Sequence, residues 1–309
     1  MQLKSMRLHI FIAMGVLLTM IIVGSFLDLK IDQAIFSENN GFGIAVAALC
    51  MMVGYGVLAA MGGMYLYHGI KHTQVIWQKI IFIVASVGIY ALTVILCARK
   101  EMFGINGWNI PNLVWLGYLL CAPVMGACMY GGYWLAGKVN NPRLWILLLI
   151  ATGFIVLALL IGTTAVKSLF NRPRFRIIVH DHPNLFYNWW ERCTNSSDLI
   201  SQYGVTSEEF KSFPSGHASV AALAMFGVVF LPFVTGKELK NQILYFYIGL
   251  AYTLFVAFTR LLVGAHFLSD VGMGALITTV CMYGFYEVAN HNKKLFEIPS
   301  NEGNEQPQE

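Results

Sequence analysis

The chain has 309 residues, of which 57% are hydrophobic and 12% charged, with a formal net charge of +4. A soluble domain carries about 25% charged residues, so this composition excludes an ordinary water-soluble globule, and its hydrophobicity excludes an intrinsically disordered chain. A small charge excess scattered along the sequence also excludes a nucleic-acid partner. What remains is a polytopic membrane protein, all α-helical.

A hydrocarbon core about 30 Å thick needs roughly 20 apolar residues per helix. Eight stretches meet that need: 8–27, 42–67, 77–98, 112–137, 143–166, 217–235, 241–259 and 268–287. Lys4 and Arg7 precede the first, as in a signal peptide. Its apolar run nevertheless exceeds the roughly 7–15 residues of a signal core and no small-residue cleavage site follows, so it reads as a retained helix. Gly54, Gly56, Gly62 and Gly63 suit close helix packing. Cys50, Cys97, Cys121, Cys128 and Cys281 sit in apolar runs and only Cys193 reads as solvent-facing, so neither a disulfide framework nor a cysteine zinc site is expected.

Lys4 and Arg7, Lys71 and Lys79, Lys138 and Arg143, and Lys237 and Lys240 fall on one side of this helix ladder, which the positive-inside rule makes cytoplasmic. The opposite short loops carry Asp28, Lys30, Asp32 and Glu38, then Arg99, Lys100 and Glu101. Both ends of the chain are then cytoplasmic. The expected organisation is four N-terminal spans over 1–142, a core over 143–287 and a polar tail over 288–309, disordered from about 296. The location expected is a bacterial inner membrane.

One segment breaks the alternation of spans and short turns. Residues 167–216 form a long extracytoplasmic loop, and long insertions in compact proteins are usually functional. Within it Trp189 and Trp190 suit either an aromatic anchor at the headgroups or ordinary loop packing. Apart from Lys79 near one end, the predicted spans hold no Lys, Arg, Asp or Glu at depth, unlike ion-coupled transporters. The chemistry is therefore expected at a membrane boundary.

Three clusters meet at that boundary by helix parity. The first, 167–175, contains Lys167, Arg172, Pro173 and Arg174; guanidinium forks and an ammonium suit phosphate oxygens, though basic residues at a span end also snorkel to headgroups. The second, Phe213-Pro214-Ser215-Gly216-His217, opens the sixth span. There Ser215 can cap, Gly216 leaves the first amides open to an anion, and His217 stands beside it; the same residues also make an ordinary helix start. The third, 259–270, contains Arg260, His266 and Asp270. Four residues apart on a helix, His266 and Asp270 would touch, the carboxylate holding one imidazole nitrogen as N–H and leaving the other as base or nucleophile. The alternative is a boundary histidine with an acidic neighbour.

Together, Lys-x6-Arg, Pro-Ser-Gly-His and Arg-x5-His-x3-Asp, in this order, resemble the type 2 phosphatidic acid phosphatase superfamily, which includes lipid phosphate phosphatases and vanadium haloperoxidases. The resemblance covers about 143–287. It implies phosphate-binding roles for Lys167, Arg174, Ser215, Gly216 and Arg260, with Arg172 as an alternative to Arg174. It also implies a leaving-group acid at His217, a nucleophile at His266 forming a phosphohistidine, and an orienting partner at Asp270. Two residues depart from the pattern: Phe175 replaces a proline and Thr259 a serine.

The activity implied is hydrolysis of a membrane-lipid phosphomonoester or diphosphate without metal or cofactor, at the outer boundary. Undecaprenyl diphosphate, phosphatidylglycerophosphate and phosphatidic acid are the substrate candidates. The alternatives are phosphate transfer to a second lipid, or a non-catalytic lipid-binding protein. His180-Asp181-His182 reads as a polar turn rather than a metal cluster, and Asn195-Ser196-Ser197 matters as a sequon only in a eukaryotic secretory context.

Overall fold

The computed structural model describes residues 6–102, 110–179 and 185–296. His180-Asp181-His182 and the tail beyond Phe296 lie outside the described residues. No strand occurs among those residues, as expected where lipid leaves the backbone only its own hydrogen bonds.

The helices are α1 (Arg7–Ile35), α2 (Gly41–Lys71), α3 (Ile76–Ile95), α4 (Val114–Val139), α5 (Leu144–Leu160), α6 (Val166–Phe170), α7 (Phe175–Val179), α8 (Ser196–Tyr203), α9 (Gly216–Ala221), α10 (Leu223–Thr235), α11 (Gln242–Leu262) and α12 (Leu268–His291). Among the described residues seven helical runs are long and apolar enough to cross a membrane, α9 and α10 forming one of them. The remaining predicted span, the fifth, is present as the shorter α5, which passes through a π-helical stretch, Ile161–Ala165, into α6. The protein is thus an integral membrane helical bundle.

Two helices form its centre. The α9–α10 run and α12 are mostly buried, while α3 and α4 turn residues such as Ile81, Val84, Trp115 and Leu119 outward to the lipid. Glycine lets the N-terminal helices close on one another as expected: a Cβ at Gly63 of α2 would collide with the Met129 carbonyl of α4, and one at Gly132 with Ala60 of α2. The first and last helices lie side by side. At one end Arg7 forks onto Glu287 (2.7 Å for each bond) and the Met6 amide donates to the Tyr286 hydroxyl (3.3 Å); at the other, the Ser269 amide donates to Asp28 (3.0 Å).

That last contact corrects the sequence reading. The first span was expected to end at 27 with Asp28 and Asp32 in a loop, but α1 runs on to Ile35. The two acids are four residues apart and fall on one face, which is the face packed into the bundle, where they are 3% and 0% exposed. A charge can stay in such a helix when a partner awaits it, and Asp28 has one in Arg172.

The long loop folds on a small core of its own, in which Phe175, Leu185, Cys193, Leu199 and Phe210 pack against Phe267. Cys193 is therefore buried, against expectation, because the aromatic residues around it close over the loop. The two tryptophans divide the alternatives. Trp189 stacks on Phe213 (ring centroids 5.7 Å apart) and donates to Ser25 Oγ of α1 (2.9 Å), whereas Trp190 stays half exposed.

Candidate active site

The three motifs meet at one end of the bundle. Helix α5 with its continuation stops at α6, where Asn171 takes a left-handed conformation (φ 48°) and Pro173 prevents resumption. The chain then leaves the helical path over residues 171–174, held by the Arg174 amide on the Glu209 carbonyl (2.9 Å) and the Ser212 amide on the Arg172 carbonyl (3.0 Å). Lys167 and Arg174 therefore share no helix face and are brought together by the loop's return.

At the second motif Ser215 caps α9, its Oγ accepting from the Ala218 amide (3.4 Å), and Gly216 and His217 occupy the first turn. The Ser215 amide donates to the Asp270 carbonyl (2.9 Å), fastening the start of α9 to the start of α12. At the third motif Arg260 lies in the last turn of α11, and Gly264 turns the chain with φ +61°. Any side chain there would be strained and would meet the Phe36 ring.

His266 lies before α12, not on it, because Phe267 is an extended N-cap (φ −89°, ψ 168°). The expected contact with Asp270 consequently fails to form. His266 Nδ1 instead lies 2.7 Å from the Ser212 carbonyl. A carbonyl only accepts, so Nδ1 carries the proton and Nε2 keeps its lone pair. Asp270 acts one step away: it accepts from the Ser212 hydroxyl and, at 2.9 Å, from the Phe267 amide, holding both chain segments that place the imidazole. Ser212 was missed in the sequence; its part is played by a backbone carbonyl, which no residue type signals.

Four cationic or imidazole groups converge on His266. Burial, then Lys167, Arg174, Arg260 and His217 in that order, hold its imidazole well below the ordinary value, so it is neutral at pH 7. The His217 ring is 6.0 Å away, centroid to centroid. Arg174, Arg260, His217 and His266 are all nearly fully buried, and Lys167 is half-buried with Nζ donating to the Lys211 carbonyl (3.0 Å). Arg174 Nη2 also lies 3.9 Å from Glu208. Neighbouring Glu209 is pushed up by burial, but the Arg176 fork and the more distant charge of Arg174 outweigh that and keep it below the usual carboxylate range.

Arg172 does not join this cluster. Its Nε donates to the Tyr187 carbonyl (2.8 Å), Nη1 to Ser269 Oγ (3.0 Å) and Asp270, and Nη2 to Asp28 (2.9 Å), while its plane lies over the Phe267 ring (4.1 Å). A guanidinium with every nitrogen committed has no fork left for a ligand. The alternative phosphate role for Arg172 is thereby corrected: it is the buried pin of the site. Asp28 and Ser269 complete that pin, and neither was picked out in the sequence. Asp32, one turn along α1 from Asp28, is fully buried with neither carboxylate oxygen hydrogen-bonded among the described residues.

Residues 144–294 match the family model of the PAP2 superfamily. This segment is a PAP2 superfamily member. The PAP2 segment contains all three motifs but not Asp28, so the pin joins it to the preceding half of the chain. The chain is similar to phosphatidylglycerophosphatase B of Haemophilus influenzae, with 29% identity over 156 residues. That alignment spans 45% of this chain and 64% of the relative. No solved structure gives a significant match.

Proposed function

We propose that this protein is a lipid phosphatase that removes phosphate from a phosphomonoester or diphosphate of a membrane lipid through a phosphohistidine at His266. The observation that carries the reading is a neutral, Nδ1-anchored His266 within the field of Lys167, Arg174, Arg260 and His217. A nucleophile needs a lone pair, and a transferring phosphoryl group needs positive charge that is already in place.

In this mechanism Lys167, Arg174 and Arg260, with the Ser215 hydroxyl and the Gly216 amide at the start of α9, hold the phosphoryl oxygens. His266 Nε2 attacks phosphorus, forming the N–P bond as the bond to the lipid oxygen breaks, and His217 gives that oxygen a proton. Water then attacks the phosphohistidine, His217 takes its proton, and inorganic phosphate leaves. Asp270 and Arg172 are positioning residues in this scheme. The arrangement supplies its charge through side chains, so catalysis proceeds without metal.

The substrate headgroup sits level with the motifs while its chains remain among the helices. The relative's printed name makes phosphatidylglycerophosphate the first substrate to try, followed by undecaprenyl diphosphate and phosphatidic acid. With Lys71, Lys79, Lys138 and Arg143 at the far end of the bundle, the site opens on the extracytoplasmic side. Phosphate release by purified protein from this panel should survive EDTA and vanish in His266→Ala. Strong loss in chelator overturns the metal-free step, and undiminished release by His266→Ala overturns the nucleophile.

A further inference from the structure

At the end of the bundle opposite His266 lies a cavity of about 450 Å³, within the range of about 300–1,000 Å³ common to ligand sites. It opens between the end of α2 and the starts of α3 and α5, and neither motif residues nor the pin reach it. His68, His72, Trp77, Gln78 and Trp145 line it, and among the described residues no carboxylate does.

Three observations give the cavity a chemistry. Helix α3, 20 residues long, starts after Val75 without a side-chain cap, and its first bond runs from the Lys79 amide to the Val75 carbonyl (3.0 Å). The amides of residues 76–78 precede that bond at the wall of the cavity, where the helix presents its positive end. Independently, His68 is 6% exposed and its Nδ1 has no hydrogen-bond partner; Nε2 of His72, whose ring is 5.6 Å away, has none either. Buried polar atoms of this kind are normally satisfied by something. Finally, Lys71, Lys79 and Arg143 flank the lining segments in sequence, so the surroundings favour an anion.

We propose that this cavity binds the phosphate headgroup of an anionic phospholipid drawn from the leaflet opposite the active site. Phosphate is the shared chemistry of a lipid headgroup and the free ion. A lipid is favoured because the walls continue through Trp77 and Ile81 onto an outward-facing apolar strip with Ile76 and Ile80, where acyl chains can lie. Trp77 and Trp145 stand at the level where tryptophan anchors in headgroups. The site is thus a second lipid contact, independent of the reaction at His266.

The test is calorimetric titration of detergent-solubilised His266→Ala protein with dihexanoyl phosphatidate, inorganic phosphate and dihexanoylglycerol. One phosphatidate site should weaken at least about tenfold in both His68→Leu and Gln78→Trp, the latter filling the cavity from its rim, and should be untouched by Arg174→Ala. That site should prefer phosphatidate to inorganic phosphate by a similar factor. Thermal unfolding checks that each variant is folded, and if His68→Leu is not, Gln78→Trp decides. Phosphatidate binding indifferent to both cavity variants overturns the site. Equal binding of inorganic phosphate overturns the lipid occupant, and equal binding of dihexanoylglycerol overturns phosphate recognition. An Arg174-independent site retains its meaning even if the protein releases no phosphate.

Discussion

Asp28 lies outside the PAP2 segment, yet replacing it should damage the site. Asp28→Ala takes the acceptor away from three buried donors at once: Arg172 Nη2, the Ser269 amide and the Ser269 hydroxyl. Removing one partner of a buried ion pair costs about 3–5 kcal/mol, and that figure already contains the unsatisfied donors, so the terms are not added. Arg172 keeps Asp270, which places the expected loss near the lower end, about 3 kcal/mol. A change of that size moves the folding equilibrium by roughly 100-fold. Asp28→Asn keeps the shape and one acceptor oxygen and should recover part of the loss. The assay pairs unfolding of the purified protein in detergent with phosphate release. Activity should fall together with stability, since Arg172 steadies Asp270, Asp270 holds Ser212, and the Ser212 carbonyl holds His266. An Asp28→Ala protein within about 0.5 kcal/mol of the parent and fully active would refute the pin.

The two arginines should separate cleanly. Arg174→Ala is expected to raise KM and lower kcat for a lipid phosphate with little change in unfolding, whereas Arg172→Ala should unfold far more easily because it strands Asp28 and Asp270; matching profiles would contradict the assignment. The imidazole of His266 makes a pH prediction. Its value is lowered in the folded state, so near pH 6.5 the unfolded chain takes up a proton that the folded protein refuses. Stability from this group is present above that value and is lost as pH falls below it. The drop in unfolding temperature from pH 7.5 to 5.5 should accordingly be smaller in His266→Gln, and an equal drop would be evidence against a suppressed imidazole. Asp32→Leu should raise stability by about 1–3 kcal/mol, because a buried acceptor without donors is replaced by an apolar side chain. A lowered unfolding temperature would show instead that Asp32 has a partner.

The sequence was most readable where a local pattern carries the physics. Apolar runs located the helices of the bundle, since lipid demands length and hydropathy and little else. The motif residues were readable because Lys167, Arg174, His217, Arg260 and His266 are conspicuous polar residues at the ends of apolar runs. What stayed hidden depends on distant partners. The end of α1 was misplaced because hydropathy takes Asp28 as an exit signal, while the arginine that makes it tolerable is 144 residues away. The same distance hid the choice between Arg172 and Arg174, since only the location of Asp28, Ser269 and Asp270 shows which guanidinium is already engaged. The His266–Asp270 spacing misled for a local reason: the rule of four residues assumes a helix through both, and the extended Phe267 starts α12 two residues too late. Cys193 looked exposed because its loop is polar on average, and averages do not reveal the aromatic cluster that covers it.

The pairing of α1 with α12 bears on how the protein is made. Synthesis delivers Asp28 with the first helix, Arg172 more than a hundred residues later, and Ser269 and Asp270 with the last long helix. A nascent chain that stops before α12 lacks the Asp270 carboxylate that steadies Ser212, and one that stops before residue 266 also lacks the imidazole that Ser212 orients. Under the proposed mechanism the reactive arrangement would therefore assemble only when the final long helix docks beside the first, and a shorter nascent chain in the membrane would have no means of attacking the lipids around it.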